Sequence, residues 1–291
     1  MNFNGVGVAL VTPFLEDKSI DFESLKKLVD FTIDGGVDFL VALGTTGETP
    51  TLSFEEKVAV LNTIIAQNNN RKPVVLGLGG NNTQEVLEAL TKYPLEKVDG
   101  ILSVVPYYNK PSQEGMFQHF SAIASATDKA IILYNVPGRT VANMNAATSI
   151  RLAKAHKNIV AIKEASGNMA QCMELVQNAP EGFSVLSGDD NLILPQMAIG
   201  FKGVISVAAN CFPKDFCNMV SEGLAGNYSA ARQLHYKLLH GIDLLFKEGN
   251  PTGVKYVLTK EGIIKNQLRL PLVPASDALA QELNDYLKNL L

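Results

Sequence analysis

The sequence predicts an α/β protein built on a (β/α)8 barrel, also called a TIM barrel, with a helical appendage at its C-terminal end. Short β-branched runs alternate with helix-length amphipathic segments as far as about residue 225, which is typical of repeated βα units on a parallel sheet. There are eight such runs, and eight units close most naturally into a barrel of about 250 residues. Beyond residue 225 the pattern is helical only.

The predicted strands are short apolar runs bounded by turn residues. In chain order they are Val6 to Val11, Phe39 to Leu43, Val74 to Leu78, Gly100 to Val104, Ile131 to Tyr134, Ile159 to Lys163, Ser184 to Leu186 and Gly203 to Val207. A doubly wound open sheet is the competing architecture. It would carry a glycine fingerprint after the first strand, where this chain has Thr12, Pro13 and Phe14.

Helical periodicity fills the segments between the strands. It is seen over Phe22 to Asp34, Phe54 to Gln67, Gln84 to Tyr93 and Ala146 to Ala155. The helix from Phe54 has the clearest start, because Ser53 and Glu56 are spaced as a capping box.

Three further helices are predicted after the eighth unit, over Ser229 to Phe246, Val254 to Glu261 and Asp277 to Leu290. This tail is too short for a domain with strands of its own. We therefore expect a catalytic barrel over residues 1–225 and a helical extension over residues 226–291 that packs on it.

Composition excludes several classes of function. The chain has 291 residues, 46% of them hydrophobic, and a net charge of −4, without a run of Lys or Arg that would follow a nucleic-acid backbone. No uncharged apolar stretch approaches the roughly 18 residues of a membrane span. The N-terminus lacks the pattern of an export signal, so we expect a cytoplasmic protein that binds neither nucleic acid nor membrane.

Cysteine and histidine do not suggest a metal centre. The three cysteines, Cys172, Cys211 and Cys217, are too few and too irregularly spaced for a disulfide framework or a zinc site, and we interpret them as small buried hydrophobes. The four histidines lack metal-ligand spacing. We expect none of the histidines to be a metal ligand and no metal-dependent mechanism.

A lysine at the end of a buried strand is the first candidate for catalysis. Lys163 ends the apolar run from Ile159, and burial there favours the neutral amine, which attacks carbonyl carbons and forms Schiff bases. Two structural alternatives stay open, because such a lysine also extends its amine to solvent or pairs with a neighbouring acid, here Glu164.

Other polar residues fall where a barrel carries its active site, at the C-terminal ends of strands. The turn from Gly44 to Glu48 has backbone N–H groups and hydroxyls suited to a carboxylate, although, taken alone, the motif favours a glycine-rich turn without a ligand. Tyr107, Tyr108 and Tyr134 are candidates for proton transfer, or they pack at the barrel rim.

Charged residues also follow the fifth and seventh predicted strands. Arg139 offers a fork that fits a carboxylate, the alternative being a surface ion pair. For Asp189 and Asp190, after the seventh strand, we prefer N-caps of the next helix to a metal site.

Taken in order, these motifs resemble the dihydrodipicolinate synthase and N-acetylneuraminate lyase family over nearly the whole chain. The resemblance implies that Lys163 forms a Schiff base with pyruvate, that Thr45 and Thr46 receive the pyruvate carboxylate, and that Tyr134 transfers protons with Thr46 and Tyr108. It also implies that Gly188 and Ile205 contribute backbone groups to the pocket.

The position of Arg139 favours one branch of the family. The synthases carry an arginine after the Tyr-Asn-x-Pro turn to hold the carboxylate of aspartate semialdehyde, whereas the sialic acid lyases diverge there. The implied reaction is the condensation of pyruvate with L-aspartate 4-semialdehyde to 4-hydroxy-tetrahydrodipicolinate, the first committed step of lysine (diaminopimelate) biosynthesis. The resemblance also implies a homotetramer, a dimer of dimers in which Tyr108 reaches a neighbouring subunit.

The resemblance further implies an effector site for lysine at a subunit interface. Its residues would be Thr49, Pro50, Phe54, Lys57, Asn81, Glu85 and Tyr107. Asn81, Glu85 and Tyr107 match the feedback-inhibited members, but Lys57 adds an ammonium that repels a cationic effector. We therefore expect weak or absent inhibition by lysine.

Two other functions remain open from the sequence. One is a different aldolase of the same family that cleaves a sugar acid, and the other is a silent barrel that senses a small keto acid. A binder has no need of a proton relay, so the combination of Lys163, Tyr134, Tyr108 and Thr46 argues against the sensor.

Overall fold

The computed structural model describes residues 3–290 and confirms the predicted barrel. Eight parallel strands pair in chain order, and the eighth closes onto the first. The strands are β1 (Gly5–Ala9), β2 (Phe39–Ala42), β3 (Val74–Gly77), β4 (Gly100–Val104), β5 (Ala130–Asn135), β6 (Ile159–Glu164), β7 (Ser184–Ser187) and β8 (Gly203–Ser206).

Helices surround the strands and continue beyond them. They are α1 (Phe22–Asp34), α2 (Phe54–Asn68), α3 (Thr83–Lys92), α4 (Gln113–Ser125), α5 (Pro137–Thr140), α6 (Ala146–Ala155), α7 (Met169–Asn178), α8 (Ile193–Ala198), α9 (Pro213–Leu224), α10 (Tyr228–Phe246), α11 (Thr252–Lys260) and α12 (Asp277–Leu290). The predicted capping box is present at α2, where Ser53 Oγ accepts from the Glu56 N–H and Glu56 accepts from the Ser53 N–H.

The predicted strands are confirmed, and their ends lie within two residues of the predicted ones. The largest difference is at β1, which ends at Ala9 instead of Val11. The Val11 N–H donates to the side chain of Asn210 at 3.3 Å and not to a neighbouring strand. The apolar pattern therefore predicted a C-terminal end of β1 that lies two residues beyond the observed one.

Alternation along the strands produces two apolar layers. Side chains such as Val41, Ala161 and Ile205 point into the barrel and form its interior core, while the larger cluster lies between the strands and the helices. A side chain that follows Ala161 by two positions therefore points into the barrel, and that residue is Lys163.

The C-terminal helices pack against the barrel. The Tyr286 hydroxyl of α12 donates to the Lys237 carbonyl of α10 at 3.1 Å, and Lys255 of α11 pairs with Glu48 in the turn after β2. Each helix within residues 3–290 is too short or too polar to span a bilayer. The division of the chain at residue 225 stays a prediction.

The three cysteines are buried free thiols, as the interpretation of small buried hydrophobes requires. Burial raises the pKa of Cys172 to about 11 and that of Cys217 to about 12. Both thiols are therefore protonated near neutral pH and are poor nucleophiles.

Candidate active site

Lys163 lies at the C-terminal end of the barrel interior and is 5% exposed. Its Nζ is 4.4 Å from the centre of the Tyr134 ring, because Tyr134 is its register neighbour on β5. None of the ion pairs found within residues 3–290 involves Lys163. The amine is thus held in the barrel by packing, without a carboxylate bonded to it.

Glu164 points the opposite way from Lys163, as alternation along a strand requires. Its buried carboxylate accepts hydrogen bonds from Asn135 Nδ2 at 3.0 Å, Gln171 Nε2 at 3.1 Å and the Ser166 N–H at 2.8 Å. The alternative in which Lys163 pairs with Glu164 is therefore wrong, because the two side chains lie on opposite faces of β6.

Gly188 leaves space for the lysine side chain. A Cβ atom at this position would lie 2.5 Å from Ala165 Cβ and 3.0 Å from Lys163 Cε, and contacts that short require the neighbours to move. The absence of a side chain at Gly188 therefore permits the observed position of Lys163. Glycine at this point of the sequence is explained by a close approach to the catalytic candidate.

Asp189 is electrostatically coupled to Lys163. Burial raises the pKa of Asp189 to about 6, and the positive charge of Lys163 acts in the opposite direction. The carboxyl group consequently titrates close to the physiological range, beside the amine that we single out.

The N-cap interpretation of Asp189 and Asp190 is wrong for the helix that follows. The cap residue of α8 is Leu192, with no side-chain cap bond. Asp190 instead accepts from the N–H groups of Val207 and Ala208 at 3.0 and 2.8 Å. It therefore ties the end of β7 to the segment after β8, a contact between distant parts of the chain that no local pattern indicates.

The threonine turn after β2 forms a single 3-10 turn over Thr45–Gly47. Thr46 is 2% exposed, and its Oγ1 accepts a hydrogen bond from Asn250 Nδ2 at 3.0 Å. Thr45 is exposed. The turn ends at Glu48, which has φ +52° and a buried carboxylate 2.5 Å from Lys255 Nζ.

A cavity of about 390 Å³ opens beside these residues. Thr45, Tyr107, Tyr134 and Arg139 line it, and Arg139 reaches it from the one-turn helix α5. Among the residues described, the lining has two cations, Arg139 and Lys57, and no acid. A cavity of this charge favours anionic ligands.

Of the remaining predicted site residues, some line this cavity and others lie outside it. Tyr108 is 87% exposed, with φ +73°, so most of its side chain faces solvent. Ile205 is buried in the barrel interior on β8. Within the effector set, Thr49 and Tyr107 line the cavity, and Asn81 Nδ2 donates to the Tyr107 carbonyl at 3.2 Å.

Sequence reasoning missed several polar residues that hold the site in place. Asn135 is fully buried, donates to Glu164 and accepts from the Met144 N–H at 2.9 Å, which fixes the loop that carries Arg139. For Asn135 the sequence did hold a signal. Glu164 lies on a buried strand, and a buried acid rarely lacks hydrogen-bond partners. Asn250 had no such signal.

No group of three or more His, Cys, Asp or Glu side chains within residues 3–290 is arranged to hold a metal ion. The residues that the site offers for chemistry are the Lys163 amine, the Tyr134 phenol and the threonine hydroxyls. They are suited to covalent catalysis on a carbonyl substrate with proton transfer beside it.

Comparison with known proteins agrees with this geometry. Residues 2–290 match the profile of the Dihydrodipicolinate synthetase family. A curated relative from Parabacteroides distasonis, named 4-hydroxy-tetrahydrodipicolinate synthase, is 50% identical over 290 residues, covering 100% of this chain and 98% of its own.

Two solved structures give the same result. The chloride-inhibited dihydrodipicolinate synthase from Acinetobacter baumannii, complexed with pyruvate, superposes with a TM-score of 0.96 at 40% identity and covers 99% of both chains. A structure described as the first monomeric dihydrodipicolinate synthase variant has a TM-score of 0.96 at 40% identity and covers 99% of this chain and 97% of its own. The chain belongs to the dihydrodipicolinate synthetase family.

Proposed function

We propose that this protein is a lyase of the class I aldolase type that condenses pyruvate with L-aspartate 4-semialdehyde to 4-hydroxy-tetrahydrodipicolinate, the first committed step of lysine (diaminopimelate) biosynthesis. The observation that carries the proposal is Lys163, a buried amine without a bonded carboxylate that points into the barrel against Tyr134. The relatives that bear the name of this activity match the chain over its full length.

The proposed chemistry begins at the lysine. The Lys163 amine attacks the keto carbon of pyruvate, and loss of water gives an imine. Loss of a methyl proton then gives an enamine, with the imine nitrogen accepting the electron pair. The enamine carbon attacks the aldehyde of the second substrate, after which cyclisation releases the product and the free amine. No cofactor is needed for these steps.

Each proton transfer in this reaction needs a donor or acceptor close to the imine. The Tyr134 phenol is our candidate, because the centre of its ring lies 4.4 Å from the amine. Arg139, on the same cavity, is proposed to hold the carboxylate of aspartate semialdehyde by a bidentate hydrogen bond. Gly188 and Ile205 are proposed to line the pocket for pyruvate.

Reduction by borohydride tests the Schiff base directly. In the presence of pyruvate, we expect the protein to gain the mass of one reduced pyruvyl group, and we expect peptide mapping to place it on Lys163. Lys163→Ala should abolish the gain, whereas Lys154→Ala, which removes an exposed lysine of α6, should leave it intact. Trapping that persists in Lys163→Ala would assign the nucleophile to another residue.

Substitution of each threonine in turn separates their roles in catalysis. We propose that both receive the pyruvate carboxylate and that Thr46 assists Tyr134 in proton transfer, but Thr45 is the one that lines the cavity with Tyr134. If Thr46 is the relay residue, Thr46→Val should reduce kcat more than Thr45→Val. The reverse order would transfer the relay role to Thr45.

We also propose a cytoplasmic homotetramer, a dimer of dimers in which Tyr108 completes the site of a neighbouring subunit. The 87% exposure of Tyr108 supports this arrangement, since a hydroxyl that faces solvent in one chain is free to reach another.

A mixing experiment tests the shared site. Tyr108→Phe and Lys163→Ala proteins should each be nearly inactive. After dissociation and reassembly together, a hybrid pair contains one site with an intact Lys163 and an intact Tyr108 from its neighbour, so activity should recover to roughly a quarter of the parent value. No recovery in reassembled hybrids would show that Tyr108 does not act across an interface.

A further inference from the structure

Asn250 links the C-terminal extension to the threonine turn of the barrel. Its Nδ2 donates to Thr46 Oγ1 at 3.0 Å, across 204 positions of sequence. Asn250 is 7% exposed and Thr46 is 2% exposed. A hydrogen bond between two buried groups is shielded from competing water, so it holds the geometry of both partners.

The direction of this hydrogen bond determines what the threonine can do. A hydroxyl both donates and accepts, whereas a carboxylate only accepts. The Asn250 amide donates to Thr46, which leaves the hydroxyl proton free for another partner, and within residues 3–290 the structure assigns it no acceptor. A hydroxyl in this state is ready to donate to a carboxylate.

Stability alone does not explain an asparagine at this position. Asn250 Oδ1 is buried and has no protein partner within residues 3–290. A buried carbonyl without a partner destabilises a fold, and a leucine would fill nearly the same space without one. The benefit of the residue is therefore to be found in what its N–H group does for Thr46.

The same extension also holds the other end of the turn. Lys255 Nζ is 2.5 Å from Glu48 Oε1, with both side chains fully buried, and the Arg269 N–H donates to Glu48 Oε2 at 3.0 Å. Residues of the extension thus fix the turn at Thr46 and at Glu48. The conformation of a segment that binds substrate is set by residues more than 200 positions away.

Building on the function proposed above, we propose that Asn250 is a positioning residue for pyruvate binding. Its amide orients the Thr46 hydroxyl so that the proton points to the pyruvate carboxylate. The C-terminal extension thereby sets the affinity of the barrel for its first substrate by acting on Thr46.

A double-mutant cycle read by borohydride trapping tests the proposal. The measured quantity is the pyruvate concentration that gives half-maximal modification of Lys163. We expect Asn250→Leu to raise this concentration about five- to tenfold, because the Thr46 hydroxyl loses its fixed orientation but can still donate, which weakens one hydrogen bond without removing it. The KM for pyruvate should rise in parallel, with the KM for aspartate semialdehyde unchanged.

In a Thr46→Val background, Asn250→Leu should have no further effect, because the hydroxyl that it orients is absent. Asn250→Asp provides a second variant of nearly the same shape. Its carboxylate accepts from Thr46 and consumes the free proton, so pyruvate binding should weaken at least as much as in Asn250→Leu.

Thr252→Val is the matched control, since it removes a buried hydroxyl in the same segment that donates to the Val273 carbonyl at 3.2 Å and does not contact Thr46. It should lower the Tm and leave the half-trapping concentration unchanged. Parent-like pyruvate binding in folded Asn250→Leu or Asn250→Asp would overturn the proposal, as would an undiminished effect in the Thr46→Val background. If pyruvate is not trapped on the parent protein, the proposed function fails and this inference fails with it.

Discussion

His119 shows how burial of a single side chain creates a pH dependence of stability. It is 5% exposed, its Nδ1 shares a hydrogen bond with Thr83 Oγ1 at 2.8 Å, and its Nε2 has no partner within residues 3–290. Burial lowers the pKa of His119 to about 4. Protonation of the folded state would charge an imidazole that water cannot reach.

The sign of the effect follows from this lowered pKa. Between about pH 6.5 and pH 4 the unfolded chain takes up a proton on this residue and the folded chain does not, so the free energy of unfolding should fall as the pH falls, by up to about 3 kcal/mol. His119→Phe should make the dependence shallower. Denaturant unfolding at several pH values measures this.

Asp189 changes the free energy of unfolding with pH in the opposite direction from His119. The parent must therefore be compared with His119→Phe. Burial raises the pKa of Asp189 to about 6, and a folded state that binds its proton more tightly gains stability as the pH falls through that range. The difference between the parent and His119→Phe cancels this contribution. Parallel curves for the two proteins would show that His119 is not responsible.

At the scale of single residues, the sequence identified the groups that face the barrel and missed those that support them. Lys163 and Tyr134 are recognisable because each is a polar residue at the end of an apolar strand. Asn250 and Asp190 act through partners 204 and 17 positions away. Such contacts depend on how the chain closes in space, which local spacing does not encode.

Among the elements, the segment after α11 is fixed to the barrel by Arg269. Its guanidinium donates to both carboxylate oxygens of Glu56, to the Thr51 carbonyl and to the Lys18 carbonyl. The hydrogen bond from Arg269 lowers the pKa of Glu56 to about 2. Glu56 is also the acid of the α2 capping box, so one carboxylate serves two elements.

Removing this guanidinium should destabilise the protein markedly. Arg269→Met should lower the free energy of unfolding by about 2 kcal/mol, since several partners lose a charge-assisted hydrogen bond at once. The difference should shrink as the pH falls from about 4.5 towards 2, because protonation of Glu56 removes the pairing in the parent as well. Urea titrations at both ends of this range measure it.

Arg151→Met is the matched control. Arg151 pairs with Glu114 at 2.6 Å, but more than half of each side chain is exposed, and exposed pairs contribute less than about 1 kcal/mol. Equal losses in the two variants would contradict the role assigned to Arg269.

The elements themselves were predicted well because strands and helices differ in period. All eight strands and the capping box of α2 followed from apolar spacing and turn residues. Strand ends were less accurate, since the last pairing of a strand depends on its neighbour. At β1 the side chain of Asn210, not a strand, takes the Val11 N–H.

At the scale of the whole molecule, the folded barrel brings two cationic side chains to the cavity beside Tyr134. Lys57 and Arg139 line the same cavity as Thr49 and Tyr107, which belong to the proposed effector site. No acid lines this cavity among the residues described. Glu85, the acid of the proposed effector set, is not in this lining and accepts from Asn82 Nδ2 at 2.9 Å.

We therefore expect L-lysine to inhibit this enzyme weakly or not at all in the millimolar range. The side-chain ammonium of the L-lysine ligand would enter a cavity that is already cationic. Like charges brought together without a counter-ion oppose binding. Lys57→Ala should make the protein more sensitive to lysine by removing one of the two charges, while Lys92→Ala, which removes an exposed lysine at the end of α3, should not. Initial rates across a lysine series at fixed pyruvate measure this, and strong inhibition of the parent protein would contradict the electrostatic argument.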